Sequence, residues 1–426
     1  MSEEASLDEF AKPQPEDKAE FVETAAGRIP SDWDTKNVES LCELRNGKAT
    51  DHADEGVKQY PVYGSNGPIG SHSESNFDGG LIFGRVGAVG EVEKAYQPVW
   101  VSDNAIQAQP SDDINTDFLF YCLSNRELGA LATKTAQPLL NQSTIGNVAA
   151  PYPSYKEQRK IATVLYTLDQ AIQKTEEIIE QTERVQRGYI RRRVIASDAS
   201  GERQDGIVGT RRVTIPQHWS VVRLGDVAEI VSGKSFPREF QKGHAGSRAV
   251  IKVEDMNLPG NDKSIQEVTN RVTDEVLDEL SKNVFPENTV IHPRVGEALL
   301  LNKTRITGED TAFDDNIMGW IPEEINPEYL YYASTLVDFN AVAQTGTVPS
   351  INKTMAANFR FPLPPKEEQE EIAEDLSRVD SQVSIYEEEK EQLRRVKQGL
   401  MQDLLSGTVR THEADIDIPE AVLAHG

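Results

Sequence analysis

The 426-residue sequence predicts an α+β fold in which two similar globules are joined by two long antiparallel coiled-coil helices, a pseudo-two-fold tandem duplication. Three observations predict it. Ile29, Pro30 and Trp33 recur as Ile215, Pro216 and Trp219, an offset of 186; Val38, Leu41, Leu44 and Gly47-Lys48 recur as Leu224, Val227, Ile230 and Gly233-Lys234 at the same offset. Pro138, Asn141, Asn147, Pro151, Pro153, Glu157 and Gln158 recur as Pro349, Asn352, Asn358, Pro362, Pro364, Glu368 and Gln369, an offset of 211 that holds through Gly188 and Gly399. Each repeat then closes on a heptad-spaced apolar seam. The two offsets differ by 25 residues, so the ends of the repeat are fixed and its middle varies.

The elements follow in order. Residues 1–24 are acidic and read as disordered, and Met1 to Asp17 lacks the apolar stretch of a secretory signal. Residues 25–152 form the first globule. Turn clusters (Tyr63-Gly64-Ser65-Asn66-Gly67, Asp78-Gly79-Gly80) alternate with β-rich runs such as Leu81-Ile82-Phe83 and Val99-Trp100-Val101, and Asp117 to Leu131 is a helical patch. Residues 153–196 hold the first long helix, from Ser154 to Ile195. Pro153-Ser154 starts it and Glu157 suits its positive end. Its seam is Ile161, Leu165, Leu168, Ile172 and Ile179, weakened by Thr175 and Thr182. Residues 197–211 are a polar linker. Residues 212–363 form the second globule, with a helical patch from Pro327 to Val342. Residues 364–407 hold the second long helix, from Pro365 to Leu405, with the seam Ile372, Leu376, Val379, Val383, Tyr386, Leu393 and Leu400, interrupted by Lys390. Gly407 is its stop and 408–426 a loosely attached tail. Because the linker is short, the second helix must run back along the first, placing the globules at opposite ends of a rod.

Composition narrows the function. The chain is 38% apolar and 27% charged, as soluble globular domains are, and no apolar run approaches the ~20 residues that cross a bilayer. Two cysteines, Cys42 and Cys122, fit packing roles in a reducing cytoplasm. The net charge of −26 argues against a generic nucleic-acid coat protein, though local patches decide contact. Adaptation to high internal salt is one account of the acidity. Catalytic signatures are thin. There is no Gly-x-x-x-x-Gly-Lys-Ser/Thr, and Gly84-x-x-Gly87-x-x-Gly90 has the wrong spacing for a dinucleotide fingerprint. No Asn/Asp-Pro-Pro-aromatic motif is present, and the histidines never fall at His-x-x-x-His.

The Ile-Pro-x-x-Trp opening, the Gly-Lys after it, the Pro-x-Pro-x-x-x-Glu-Gln helix start and the ending Gly399-Leu400-Met401-Gln402-Asp403-Leu404-Leu405-Ser406-Gly407 together resemble the specificity subunit of type I restriction–modification enzymes. So does Tyr63-Gly64-Ser65-Asn66-Gly67 followed by Gly84-Arg85-Val86-Gly87. The resemblance covers about 25–410. It implies that the globules are target-recognition domains, each reading part of a split double-stranded DNA sequence. It implies that the helices set the spacing and bind DNA methyltransferase subunits, and that the chain itself is non-catalytic. Restriction motor-nuclease subunits are the further partners. S-adenosylmethionine, ATP and Mg2+ are then expected on partner subunits, with no cofactor or metal bound by this chain, no membrane partner and a cytoplasmic location. The alternative is a two-headed coiled-coil protein–protein adaptor with no DNA role.

Several residues are candidates for DNA contact. Ser65, Asn66 and Gly67 offer amide and hydroxyl groups to base edges, or simply make a turn. Arg85 and Arg294 each precede Val-Gly and suit guanine, or an internal ion pair. Thr133, Lys134 and Thr135, with Thr345 and Thr347, occupy matching loops before Pro138 and Pro349 and suit phosphates. Asn302, Lys303, Thr304 and Arg305 are the densest polar-basic stretch of the second middle region. Arg184, Arg187, Arg191, Arg192 and Arg193 cluster late in the first helix, facing phosphates, an acidic partner or solvent. Off the seams, Ile178, Val185, Ile190, Ile385 and Val396 suit docking of partner helices or fuller packing.

Overall fold

The computed structural model describes residues 20–50, 59–134, 138–195, 202–208, 211–241, 246–280, 283–344, 348–412 and 414–424. The chain divides into two compact units. The first comprises Met1–Glu176 and Glu388–Gly426, the second Glu177–Glu387. Both long helices are continuous through the division, one at Tyr155–Ile195 and the other at Lys366–Leu405, within one residue of the predicted ends.

In the first unit, Gly80–Gly84 is buried at every position and lies inside a four-stranded antiparallel sheet. Its neighbours are Ala105–Pro110 and Val92–Ala95, and Cys42–Asn46 pairs with the far edge of Ala105–Pro110. A second sheet is built from Tyr60–Gly64, Gly67–His72 and Trp100–Val101, the last pairing parallel to the first. The helix Thr116–Ser124, capped by the Asn115 side chain, brings Phe118, Leu119 and Leu123 onto Leu81, Phe83 and Ile106. Cys42 and Cys122 are free thiols; burial pushes the first up to about 12 and raises the second further.

The second unit repeats this plan with one more strand in the larger sheet. Ala228–Ser232, Ile317–Pro322, Val290–Pro293, Arg305–Thr307 and Ser264–Ile265 make a five-stranded sheet. Arg248–Ile251 lies between Arg271–Val272 and Thr311–Phe313 in a second sheet. The helix Pro327–Ser334, capped by Asn326, occupies the place of Thr116–Ser124 and drives Tyr329, Leu330 and Tyr332 into the core. The larger sheet of the second unit thus has five strands against four, while the flanking frame is kept.

Three boundaries differ from the expectation. Phe21–Thr24, read as disordered, pairs antiparallel with Gly27–Pro30. Arg203–Val208, read as linker, pairs in the same way with Arg211–Pro216, so each unit opens on a hairpin. The stretch after the second helix, read as a loose tail, packs on the first unit. Gly407 turns the chain with φ +68, and a Cβ there would sit 2.4 Å from Pro30 Cγ. Arg410 then reaches Asp32 at 2.7 Å and Glu157 at 2.9 Å, the buried Lys160 ammonium donates to the Thr411 and His412 carbonyls at 3.0 Å, and Val422 is fully buried. These contacts involve main-chain carbonyls and isolated charges, which carry no periodicity in the sequence.

Candidate nucleic-acid interface

In the first unit, three of the candidate segments converge. Ser65 and Asn66 form the two-residue turn between the strands ending at Gly64 and starting at Gly67, whose φ of +83 suits glycine. Asn66 is exposed and Ser65 half-buried. The backbone of Gly84 packs against this turn, since a Cβ there would lie 2.5 Å from the Ser65 carbonyl oxygen. Arg85 follows directly. Its NH1 donates to the Asp103 carbonyl at 3.2 Å, which holds the guanidinium by one main-chain contact rather than by a carboxylate. The Arg85 carbonyl accepts from Leu140 N, and Thr133 exchanges two hydrogen bonds with Leu139. Turn, arginine loop and the exposed Thr133 and Lys134 thus form one connected surface.

The second unit reproduces the arginine loop. Arg294 N donates to the Asn316 carbonyl at 2.8 Å, as Arg85 N does to Asn104 at 2.9 Å, and the Arg294 carbonyl accepts from Ile351, the repeat partner of Leu140. The rest of the candidate stretch there divides. Lys303 is half-exposed and its ammonium donates to the Asn257 amide oxygen. Asn302, at φ +52, uses its amide oxygen to accept from Phe339 N, leaving only its NH2 outward. Thr304 is a correction: it is 3% exposed and its hydroxyl is bonded to His292 Nδ1 at 3.0 Å. Arg305 is also turned inward. It donates to the carbonyls of Thr304 and Met256 at 2.8 and 3.0 Å, and burial lowers its pKa. Thr135, Thr345 and Thr347 lie outside the described residues.

The helix starts are tied to their globules identically in both units. Trp33 Nε1 donates to Glu157 at 3.1 Å, and Trp219 Nε1 to Glu368 at 2.9 Å. Gln158 accepts from Asn115 N and donates to the Pro153 carbonyl; Gln369 does the same with Asn326 N and Pro364. The Trp of the opening motif and the Glu-Gln of the helix start, far apart in sequence, are thus two halves of one contact. About three turns further on, Tyr121 OH donates to Asp169 at 2.7 Å, and Tyr332 OH to Asp380. Lys397 pairs with Asp169 from the other helix, and in the second unit Gln186 bonds Asp380 from the position that corresponds to Lys397. Burial and these carboxylates raise both tyrosines well above their usual range.

A family model for the type I restriction modification DNA specificity domain matches the chain twice, over residues 30–184 and 216–395. The chain belongs to this specificity-domain family. Relatives include the MjaVIII specificity subunit of Methanocaldococcus jannaschii, 23% identical over 92% of this chain and 96% of its own length. The EcoDI specificity subunit of Escherichia coli is 23% identical over 82% of this chain and 81% of its own length. In fold, the chain is similar to the S subunit of M. genitalium, with a TM-score of 0.57 at 16% identity over 87% of this chain and 96% of that one. A chain from the complex assembly of a type I restriction–modification system gives 0.53 at 14% identity over 89% and 99%.

Within this specificity-domain frame the predicted seam has two roles. Ile161 and Leu165 lie in the core of the first unit, and Ile372 and Leu376 in the core of the second, all at most 3% exposed. Sequence alone assigns them to helix pairing; the structure makes them globule residues as well. Leu168, Ile172, Val379 and Val383, further along, are half-buried, as in a two-helix pair. The pairing is antiparallel inside each unit. Asp169 meets Lys397 and Glu176 meets Arg394 in the first, while Tyr189 and Arg193 meet Asp375 and Glu371 in the second. The Trp–Glu and Tyr–Asp contacts were missed in the sequence, although the recurrence of Trp33 at offset 186 and of Glu157, Tyr121 and Asp169 at offset 211 was a signal for them. Among the described residues no group of three or more His, Cys, Asp or Glu could hold a metal.

Proposed function

We propose that this chain is the specificity subunit of a type I restriction–modification complex. In this reading each unit recognises one part of a bipartite duplex sequence, and the helices present DNA methyltransferase and motor-nuclease subunits to it. The observation that carries the reading is the repeat itself. The same Trp–Glu, Gln–Asn and Tyr–Asp contacts hold both frames, while the intervening sheets differ, which suits two readers of different sequence on one mount. Sequence is read at base edges, so Ser65, Asn66 and Arg85, with Arg294 and the outward NH2 of Asn302, are the candidate readers, and Thr133, Lys134 and Lys303 the candidate phosphate contacts. Partner docking is supported by Val185 and Val396, 61% and 48% exposed, which occupy the same repeat position on the two helices, and by Ile385, 55% exposed on the second helix. S-adenosylmethionine, ATP and Mg2+ belong to the partner subunits in this reading, and the chain works in the cytoplasm.

Selection from a random duplex pool, with the chain alone and with methyltransferase subunits, tests it. The expected result is enrichment of two short sequences at a fixed gap, and no methyl transfer from S-adenosylmethionine by the chain alone. Capture of protein subunits with no sequence enrichment would leave the adaptor reading instead.

A further inference from the structure

The second unit contains a half-open cavity of about 690 Å3 beside the end of the first long helix. Arg184, Arg187 and Arg191 line it from that helix, and Arg211 from the opening hairpin. The chain carries 70 acidic residues against 44 basic ones, yet these arginines share one concavity with little carboxylate beside them. Arg193, Arg248, Arg271, Arg378, Arg394 and Arg410 each pair with a carboxylate, whereas other exposed arginines among the described residues, such as Arg212, Arg223 and Arg360, do not; what sets the cavity apart is four arginines on one concave surface. Among the described residues, Arg184, Arg191 and Arg211 have no such partner, and Arg187 has only an exposed Glu183 at 3.5 Å. One carboxylate, Asp338, is in the lining, and it is engaged in accepting from Asn340 N. Asn302 adds an NH2 group.

The duplication supplies an internal control. The positions of the first unit that correspond to Arg184, Arg187, Arg191 and Arg211 are Arg395, Gln398, Gln402 and Ala25. Packing positions of the same segment keep their character: Ile190 and Val194 correspond to Met401 and Leu405, and Tyr332 to Tyr121. The frame therefore needs no arginine at these places, and the second unit carries four where the first carries one. Unpaired guanidinium groups around a concave surface match the oxygens of phosphate groups, which they bind by charge-assisted and bidentate hydrogen bonds.

We infer that this cavity is a phosphate-binding site peculiar to the second unit, filled by backbone phosphates of a duplex or by a free polyphosphate. Only the duplex source rests on the function proposed above.

The test compares the full chain with the double variant Arg184→Gln/Arg191→Gln and with a charge-matched control, Arg378→Gln/Arg394→Gln, whose arginines are already ion-paired. Two probes are titrated, a 40-base-pair random duplex at several salt concentrations and sodium tripolyphosphate. Glutamine keeps the helix propensity, and circular dichroism checks the fold. If duplex phosphates fill the cavity, the variant binds duplex more weakly and its log K against log salt slope falls by about 1.8, two contacts at ~0.9 each, while the control keeps its slope. If a free polyphosphate fills it, the wild type binds tripolyphosphate one to one and the variant does not. Equal losses in variant and control, or no loss with either probe, overturn the inference. So does a variant that loses only its methyltransferase subunits, which would make the cavity a seat for an acidic protein segment. A wild type that binds no duplex counts against the proposed function and leaves the tripolyphosphate result to decide the cavity.

Discussion

His292 has no exposed surface. It lies 4.1 Å from the Trp320 ring and 5.1 Å from Phe339, centroid to centroid, with Nδ1 on the Thr304 hydroxyl. Burial lowers its pKa from 6.5 to about 3, so the folded chain keeps the ring neutral where the unfolded chain takes up a proton. The stability linked to this group is therefore whole above pH 6.5 and is lost as pH falls toward 3, at up to about 1.4 kcal/mol per pH unit. Urea denaturation between pH 7 and 4 is expected to show this slope in the second unit, and His292→Gln to flatten it whatever it does to absolute stability. An unchanged slope in the variant would mean that other groups carry the acid sensitivity. The same environment settles what Thr304 does. Thr304→Ala should cost about 1–2 kcal/mol through the lost hydrogen bond and leave the selected DNA sequence unaltered, whereas a changed sequence would return Thr304 to the reading surface.

Each long helix is fastened at its start by Trp–Glu and Gln–Asn contacts and again by Tyr–Asp. Tyr121→Phe should loosen the first helix in the first unit and Tyr332→Phe the second helix in the second, each by about 1–2 kcal/mol because the carboxylates remain partly solvated. Hydrogen exchange should localise each effect to its own unit; protection lost equally in both units would contradict independent fastening. The helices themselves were legible in the sequence, since Pro153 and Pro365, the seam spacing and Gly407 are local signals. The opening hairpins were not. Arg203-Gln204-Asp205-Gly206 is polar and glycine-containing, and only pairing with Arg211–Pro216 makes it a strand. The double role of Leu165 and Leu376 was hidden for a related reason: a heptad gives the face but not what covers it. In the candidate interface, the Gly64–Gly67 turn and the Arg85 and Arg294 loops were visible because glycine and Val-Gly mark them. The inward turn of Thr304 and Arg305 depends on His292 and Met256, which no spacing announces.

At the scale of the molecule, exchanging residues 50–130 for another middle region is expected to change one half of the selected sequence and spare the other. Deleting Ile172 to Ile178 together with Val383 to Glu389 removes one heptad from each helix and keeps the seam phase. It shortens each by about 10 Å at ~1.5 Å per residue, or about three base pairs of duplex at ~3.4 Å each. Selected sites should keep both half-sequences with a changed gap, or binding should fail; an unaltered gap would end the idea that helix length measures distance along DNA. The division of the chain has one more consequence. The second unit is an uninterrupted stretch, Glu177–Glu387, but the first is completed by Glu388–Gly426, which contributes Leu404, Leu405, Arg410 and Val422 to its interior. During synthesis the first unit to begin is thus the last to close. Its interior is completed only by residues that emerge after the whole of the second unit, so the order of synthesis and the order of closure run opposite to each other.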